Sequence, residues 1–296
     1  MAGRDNIVVV MAATDHELGQ FIPLHYHFNM LDDVGRTGAF EEAMACVVRP
    51  GGRVVELGGG TGVLSFFAAR GAGRVWCVER NPEVAREARR LLALNGCADT
   101  VEVVEADACE YVPPEPVDVV ACEMLHVTLL VEKQLPVIAA FKERYRVAFG
   151  PPLPRFLPEA VLQAVQPVQQ SFDYHGYLAP TVHFQAGTAA QPRTEELGDP
   201  VVYQTLQFAG EIPQRIAWTG VLTVTQPGTL NAMRFITKNV LAILPAERRS
   251  IDWLMNYLIV PLETAIEVSA GDRVEVGFDY AAGGPLNSLK PTARVL

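Results

Sequence analysis

The stretch VVELGGGTGVLSFFAA, residues 54–69, decides the fold. It opens as a short apolar run that carries an acid, Glu56. Gly58, Gly60 and Gly62 follow at alternate positions, and an apolar helical pattern starts directly after them. Glycines so placed let the backbone turn sharply and pass close to a ligand at the carboxyl edge of a sheet. The dinucleotide fingerprint is G-x-G-x-x-G, whereas the string here is G-G-G-T-G with an acid two residues ahead of it.

The same grammar continues on both sides. GRVVELG (52–58), RVWCVER (74–80), VEVVEAD (101–107) and VDVVACE (117–123) read as buried strands, and TGVLSFFAARGA and NPEVAREARRLLALNG fall between them. In the second of these, Val84, Ala88, Leu91 and Leu92 form a helical stripe, Pro82 suits the first turn, and Asn95-Gly96 is a stop. Strand–helix–strand with short loops predicts a parallel, doubly wound sheet, a Rossmann-like first domain over residues 1–150 with N-terminal helices. Glu79 ends the second strand and Asp107 follows the third, which puts both acids at the carboxyl edge where such sheets bind their ligands. After GPPLPRFLP (150–158) the pattern becomes a series of β-runs parted by Gly, Pro and Asp turns, which predicts an antiparallel sheet over 151–296 forming a β-barrel or sandwich, with the β-barrel as the adopted reading. AGDR (270–273) reads as a hairpin turn, and 171–200 shows no period.

The 296 residues carry a net charge of −10 and are 49% apolar, so the chain buries a core but offers no row of cations for nucleic acid. The short apolar run IVVVMAA (7–13) is read as a terminal helix or strand. No apolar run approaches the ~18 residues of a membrane span. Five cysteines without C-x-x-C point to buried free thiols in a reducing compartment, hence the cytoplasm, and no metal spacing is present.

The acid–glycine loop, with Glu79 behind it, resembles motif I of class I S-adenosylmethionine-dependent methyltransferases. A nicotinamide enzyme or another glycine-rich turn is the alternative. A second stretch narrows the resemblance. CEMLHVTLLVEKQL (122–135) is nearly all apolar yet holds Glu123 and Glu132, nine residues apart. On a continuous helix nine residues turn through about 900°, so the carboxylates would face opposite ways. They converge only if 124–131 is a looped excursion. The spacing is similar to the double-glutamate loop of the protein arginine methyltransferase family, where two carboxylates clasp a substrate guanidinium. The chemistry is sound. A guanidinium is a planar fork of five donors suited to carboxylates, and two anions draw its charge away from the nitrogen that must attack.

Two further stretches carry the resemblance. HYHFNMLDDVGRTGAFEEAM (25–44) looks like the family's N-terminal helix, with Met30, Asp33 and Arg36 at its M-L-x-D-x-x-R positions. By resemblance Arg36 pairs with the cofactor carboxylate, while Met30 and Asp33 belong to the substrate pocket. SIDWLMNYLIV (250–260) stands where the family has T-H-W, keeping Trp253 but with Asp252 for the histidine. Two acids do not make the family's Asp–His pair unless one is protonated or a cation intervenes. Met124, Leu125, His126 and Val127 alter the pocket wall, and His126 is a candidate substrate contact. Residues 171–200 stand where the family projects its helical dimerisation arm. They look too short for it, which leaves homodimerisation open.

The resemblance therefore implies an S-adenosylmethionine-dependent N-methyltransferase acting on a guanidino nitrogen, of free arginine, another small guanidine, or peptide or protein arginine. Glu123 and Glu132 are the catalytic candidates. Arg36, Glu56, Gly58, Gly60, Gly62, Glu79 and Asp107 are the cofactor candidates. Transfer to another amine, a hydroxyl or an RNA base is the alternative enzyme. A non-catalytic S-adenosylmethionine-binding interaction module is the alternative of another class.

Overall fold

The computed structural model describes residues 27–296. The apolar run 7–13, His25 and Tyr26 lie outside the described residues. Two helices come first, α1 (His27–Asp32) and α2 (Val34–Val47), and Asp33 caps the second by accepting the Arg36 N–H at 2.9 Å. A five-stranded sheet follows, built from β1 (Arg53–Leu57), β2 (Arg74–Glu79), β3 (Val101–Glu105), β4 (Val119–Cys122) and β5 (Arg155–Leu157) in the order β3-β2-β1-β4-β5. All its pairings are parallel. Crossover helices cover parallel sheets on both faces, which is why β1, β2 and β4 are buried along nearly their whole length, whereas β3 at the sheet edge exposes Glu102 and Glu105. The order reverses between β1 and β4, so the crevice at their carboxyl ends is the expected ligand site.

The crossovers are α3 (Val63–Ala69), α4 (Pro82–Leu94) and α5 (Gln134–Phe149). In α4 the Asn81 side chain accepts the Glu83 N–H, Pro82 opens the first turn, and Val84, Ala85, Ala88 and Leu92 form the buried stripe. An Asn cap contributes about 1 kcal/mol. Gly96, at φ 72°, ends the helix region. The boundary expected at residue 150 lies further on, because β5 pairs with β4 and only then does the chain leave the parallel sheet.

The second half is antiparallel. β6 (Ala160–Gln170), β7 (Asp173–Tyr174), β8 (Tyr177–Leu178), β9 (His183–Gln185), β10 (Thr194–Glu196), β11 (Val201–Gln207), β12 (Arg215–Thr223), β13 (Gly228–Leu244), β14 (Arg249–Leu254), β15 (Tyr257–Val268), β16 (Arg273–Ala281) and β17 (Thr292–Val295) fall into separate sheets. One has seven strands built around β6 and β13, and another is β12-β16-β17. The antiparallel, barrel-like second half expected from the sequence is present, with a hydrogen-bonded ladder that does not close into a ring. β11 spends its pairing on β6 and β12 spends its own on β16, so no ladder joins β11 to β12. AGDR likewise makes a turn but not a hairpin. Its Gly271 N–H and Asp272 carbonyl bond to Val224, at the end of β12, and β16 then runs along β12 for nine pairs. Segment 171–200 has β7–β8 as a small hairpin, plus β9 and β10, and no helix; Tyr177 and Leu178 on the hairpin are exposed.

The halves share core. Phe40 and Met44 of α2 pack with Leu241 and Ala242 of β13 and Ile251 of β14, all nearly fully buried. At ~25 cal/mol per Å² of apolar surface, each such large side chain contributes about 1.5–3 kcal/mol to holding the second half against the parallel sheet. Of the thiols expected to be buried, Cys77 and Cys122 are, whereas Cys46 is exposed.

Candidate active site

A cavity of about 430 Å³ opens at the carboxyl edge of the parallel sheet, within the size range of small-molecule sites. Its walls come from α1 and α2, the glycine loop, the ends of β2, β3 and β4, the loop 123–132, and the segment 253–256. Gly58, Gly60 and Gly62 have φ of 77°, 53° and 81°, all left-handed. Glycine is required there twice over, because a Cβ on Gly60 would sit 2.9 Å from His27 Cε1, and one on Gly58 would sit 2.9 Å from Met124. Glu79 braces the loop. Its Oε2 accepts the Gly60 N–H at 2.9 Å and its Oε1 the Asn81 N–H at 2.7 Å.

Glu56 lies beneath the loop, where its Oε2 accepts from both the N–H and the hydroxyl of Ser65. Burial raises its carboxyl to about 7, although the Ser65 bonds pull the other way. It therefore anchors the first turn of α3 as well as lining the cavity. Asp107 accepts the Cys109 N–H at 2.8 Å and pairs with Arg80 at 3.1 Å. Burial pushes its carboxyl up, but those partners bring it below its ordinary value.

The two glutamates converge on this cavity. The chain between them is a looped excursion with a short 3₁₀ turn at Val127–Leu129. Thr128, Leu129 and Val131 take φ of 65°, 57° and 66°, without glycine. Left-handed backbone costs about 1–2 kcal/mol per such residue, more for β-branched ones, so other bonds must hold the loop. They come from the antiparallel half. Thr128 N–H donates to Thr237 Oγ1, Tyr280 Oη to Thr128 O, Gly283 N–H to Leu129 O, and Val131 N–H to Gly284 O.

Arg36 lies against Glu123. Its Nη2 donates to Glu123 Oε2, its Nη1 to Met30 O, and its guanidinium stands 5.8 Å from the ring centres of both Phe40 and Trp253. The Arg36 and Glu123 side chains are 8% and 10% exposed. Burial nevertheless raises the Glu123 carboxyl above its ordinary value against the pull of Arg36. Burial, then the charge of Glu123, raises Glu132 to about 8.

Met30, Asp33 and Trp253 also line the cavity. His126 and Asp252 do not line it. The His126 ring packs edge-on against Phe184, with centres 5.5 Å apart, and burial lowers its pKa. Asp252 pairs with Lys238 at 2.8 Å and not with Asp33. It lies on the other face of β14 from Trp253, because neighbouring strand residues point opposite ways. Met124 and Leu125 line the cavity wall as expected, and His27, Lys133, Met255 and Asn256 also line it, which the sequence reading missed. Only their closeness to the quoted motifs would have suggested them.

With the geometry in view, the comparisons are specific. Residues 54–148 match the family described as a methyltransferase domain. An uncharacterized protein of Methanothermobacter thermautotrophicus is 33% identical over 266 residues, spanning 90% of this chain and 96% of its own length. An arginine N(omega)-methyltransferase of Streptomyces achromogenes subsp. streptozoticus is 34% identical over 134 residues, 44% of this chain and 37% of that protein. Among solved structures, protein arginine methyltransferase 10 of Arabidopsis thaliana superposes with a TM-score of 0.73 at 17% identity, covering 92% of this chain and 97% of that one. The PRMT1 enzyme–prozyme heterotetrameric complex of Trypanosoma brucei with AdoHcy gives 0.72 at 15%, covering 93% and 98%.

Fold, glycine cradle and matched domain define a class I methyltransferase whose cofactor is S-adenosylmethionine. The chain belongs to one family with the Methanothermobacter protein, and it is protein arginine methyltransferase-like in its matched segment and its fold. The residues present fit that cofactor, since the loop is one that only glycine can form and a brace of acceptors stands behind it at the sheet edge. Among the described residues no helix is long and apolar enough to cross a membrane.

Proposed function

We propose that the enzyme methylates a guanidino nitrogen, with Glu123 and Glu132 as the groups that hold and polarise the acceptor. The observation that supports this most is that both carboxylates face one cavity and that a guanidinium, that of Arg36, already rests on Glu123. Glu79 and Asp107 are the candidates for the cofactor's ribose and adenine, and the glycines let its backbone-facing edge approach. S-adenosylmethionine, when bound, supplies an electrophilic methyl on a sulfonium.

The chain's own groups do the rest. Two carboxylates orient the planar acceptor and draw its positive charge toward them, so that electron density returns to the nitrogen facing the methyl. The N–C bond forms as the S–C bond breaks, and one proton leaves the nitrogen. Glu132 receives it in its ionised form, and with its carboxyl raised to about 8 that form gains population as the pH rises toward that value. Arg36 is the candidate partner of the cofactor's carboxylate. Drawing it there would release Glu123 for the acceptor.

The acceptor class includes arginine, which the name of the Streptomyces relative also carries, free or within peptides. The test is mass spectrometry of methyl transfer to free L-arginine beside an arginine-rich peptide. Glu123→Gln serves as control. Loss of one charge-assisted contact, about 1.5–3 kcal/mol, predicts turnover roughly 10- to 150-fold lower with cofactor affinity retained. Transfer to neither acceptor by a protein that binds S-adenosylhomocysteine, or unchanged turnover in Glu123→Gln, overturns the proposal.

A further inference from the structure

Both glutamates sit at the ends of a strained excursion, and the two ends are held differently. The bonds from Thr237, Tyr280, Gly283 and Gly284 fix residues 128–131, the half of the loop nearer Glu132. At the other end β4 stops at Cys122, and Glu123 is the first residue beyond its ladder. One side chain spans that point. Gln134, the first residue of α5, donates from Nε2 to the Cys122 carbonyl at 2.7 Å and accepts the Met124 N–H on Oε1 at 2.8 Å. The Cys122 thiol also donates to the same oxygen at 3.4 Å. Burial, then the charge of Glu123, raises the Cys122 pKa, so this thiol stays a donor. Gln134 is 1% exposed.

We propose that Gln134 is the positioning residue that sets the two carboxylates in register. It brackets Glu123 on both sides and lies two residues beyond Glu132, so one amide ties the start of the excursion to its end. An amide suits the place. It gives one hydrogen bond and takes others in the same plane, which neither an aliphatic side chain nor an ionised carboxylate does. Gln134 does not line the cavity and acts through Glu123. This inference rests on the guanidine reading of the site above.

The test compares Gln134→Leu and Gln134→Glu with the unaltered enzyme and with Glu123→Gln, using L-arginine and an arginine-rich peptide as acceptors. Cofactor affinity is measured separately by titration with S-adenosylhomocysteine. Gln134→Leu orphans the Cys122 carbonyl and the Met124 N–H, so Glu123 loses its fixed direction. Turnover should fall roughly 10- to 100-fold and acceptor KM should rise, while S-adenosylhomocysteine affinity stays within about twofold. A protonated carboxyl at 134 can still donate and accept, whereas an ionised one cannot donate. The rate of Gln134→Glu relative to the unaltered enzyme should therefore recover as the pH is lowered.

A folded Gln134→Leu with turnover within about twofold of the original overturns the proposal, and so does a parallel loss of turnover, cofactor affinity and melting temperature, which a merely structural glutamine would give. Should the leucine variant not fold, a pH-independent ratio for Gln134→Glu has the same force. Normal turnover in Glu123→Gln instead defeats the guanidine reading itself. A loss there, with none in the Gln134 variants, defeats only the positioning role.

Discussion

Replacing Glu132 by Gln should stabilise the protein while stopping its chemistry, and increasingly so as the pH rises. Burial, then the charge of Glu123, lifts this carboxyl from its ordinary 4.5 to about 8, and Arg36 offsets only part of that. Below 4.5 the group is protonated both folded and unfolded. Between 4.5 and about 8 the folded chain keeps a proton that the unfolded chain has lost, so its stability falls as pH rises. Above about 8 both are ionised and the penalty is complete. At ~1.36 kcal/mol per pH unit the displacement sets a ceiling of about 5 kcal/mol. Solvent in the cavity screens the charge, and about 2–3 kcal/mol remains at the effective permittivity of such sites. Glutamine does not ionise and escapes this penalty. At roughly 2 °C per kcal/mol for a chain of this length, the melting temperature of Glu132→Gln relative to the unaltered protein should climb by about 4–6 °C from pH ~5 to pH ~9. Calorimetric melts over that range measure it directly. A difference that stays flat with pH, or shrinks, refutes the assignment of a buried, proton-holding carboxyl at 132.

Two further outcomes are expected. Gly60→Ala forces alanine into φ 53° with its Cβ 2.9 Å from His27 Cε1, so S-adenosylhomocysteine should bind about tenfold more weakly or worse in calorimetric titration; undiminished binding would remove the glycine loop from the cofactor site. Tyr280→Phe deletes the hydroxyl that donates to Thr128 O at 3.0 Å; about 1 kcal/mol of stability should go, with faster amide exchange across 127–132 and slower turnover at unchanged cofactor affinity, whereas unaltered exchange there would mean the hydroxyl does not hold the loop.

The parallel half was legible because its rules are local. Continuous apolar runs, Pro82 at a helix start and Asn95-Gly96 at its end specify elements one at a time, and the right-handed crossover leaves few ways to assemble them. The antiparallel strands were legible as strands, but their partners were not. AGDR looks like a hairpin because turn chemistry is local, while the choice of β12 as the partner of β16 depends on residues 50 to 66 positions away. The acids and glycines at the cavity could be named because spacing encodes them. Thr128, Leu129 and Val131 gave no warning of left-handed backbone, since they are residues that avoid it, and the bonds that impose it come from Thr237, Tyr280, Gly283 and Gly284. The direction of Asp252 was likewise hidden, because it turns on Lys238 in a neighbouring strand.

The non-glycine, left-handed excursion has a consequence for how such a chain can be divided or recombined. Cut off after β5, the parallel half would keep its glycine cradle, yet residues 128–131 would lose every bond that the antiparallel half gives them. Relaxation to ordinary backbone would swing Glu132 away from Glu123. A chimera joining this parallel half to a foreign second half would inherit the cofactor site as a module. It would have to supply its own equivalents of Thr237, Tyr280 and the Gly283-Gly284 turn before it inherited the reaction.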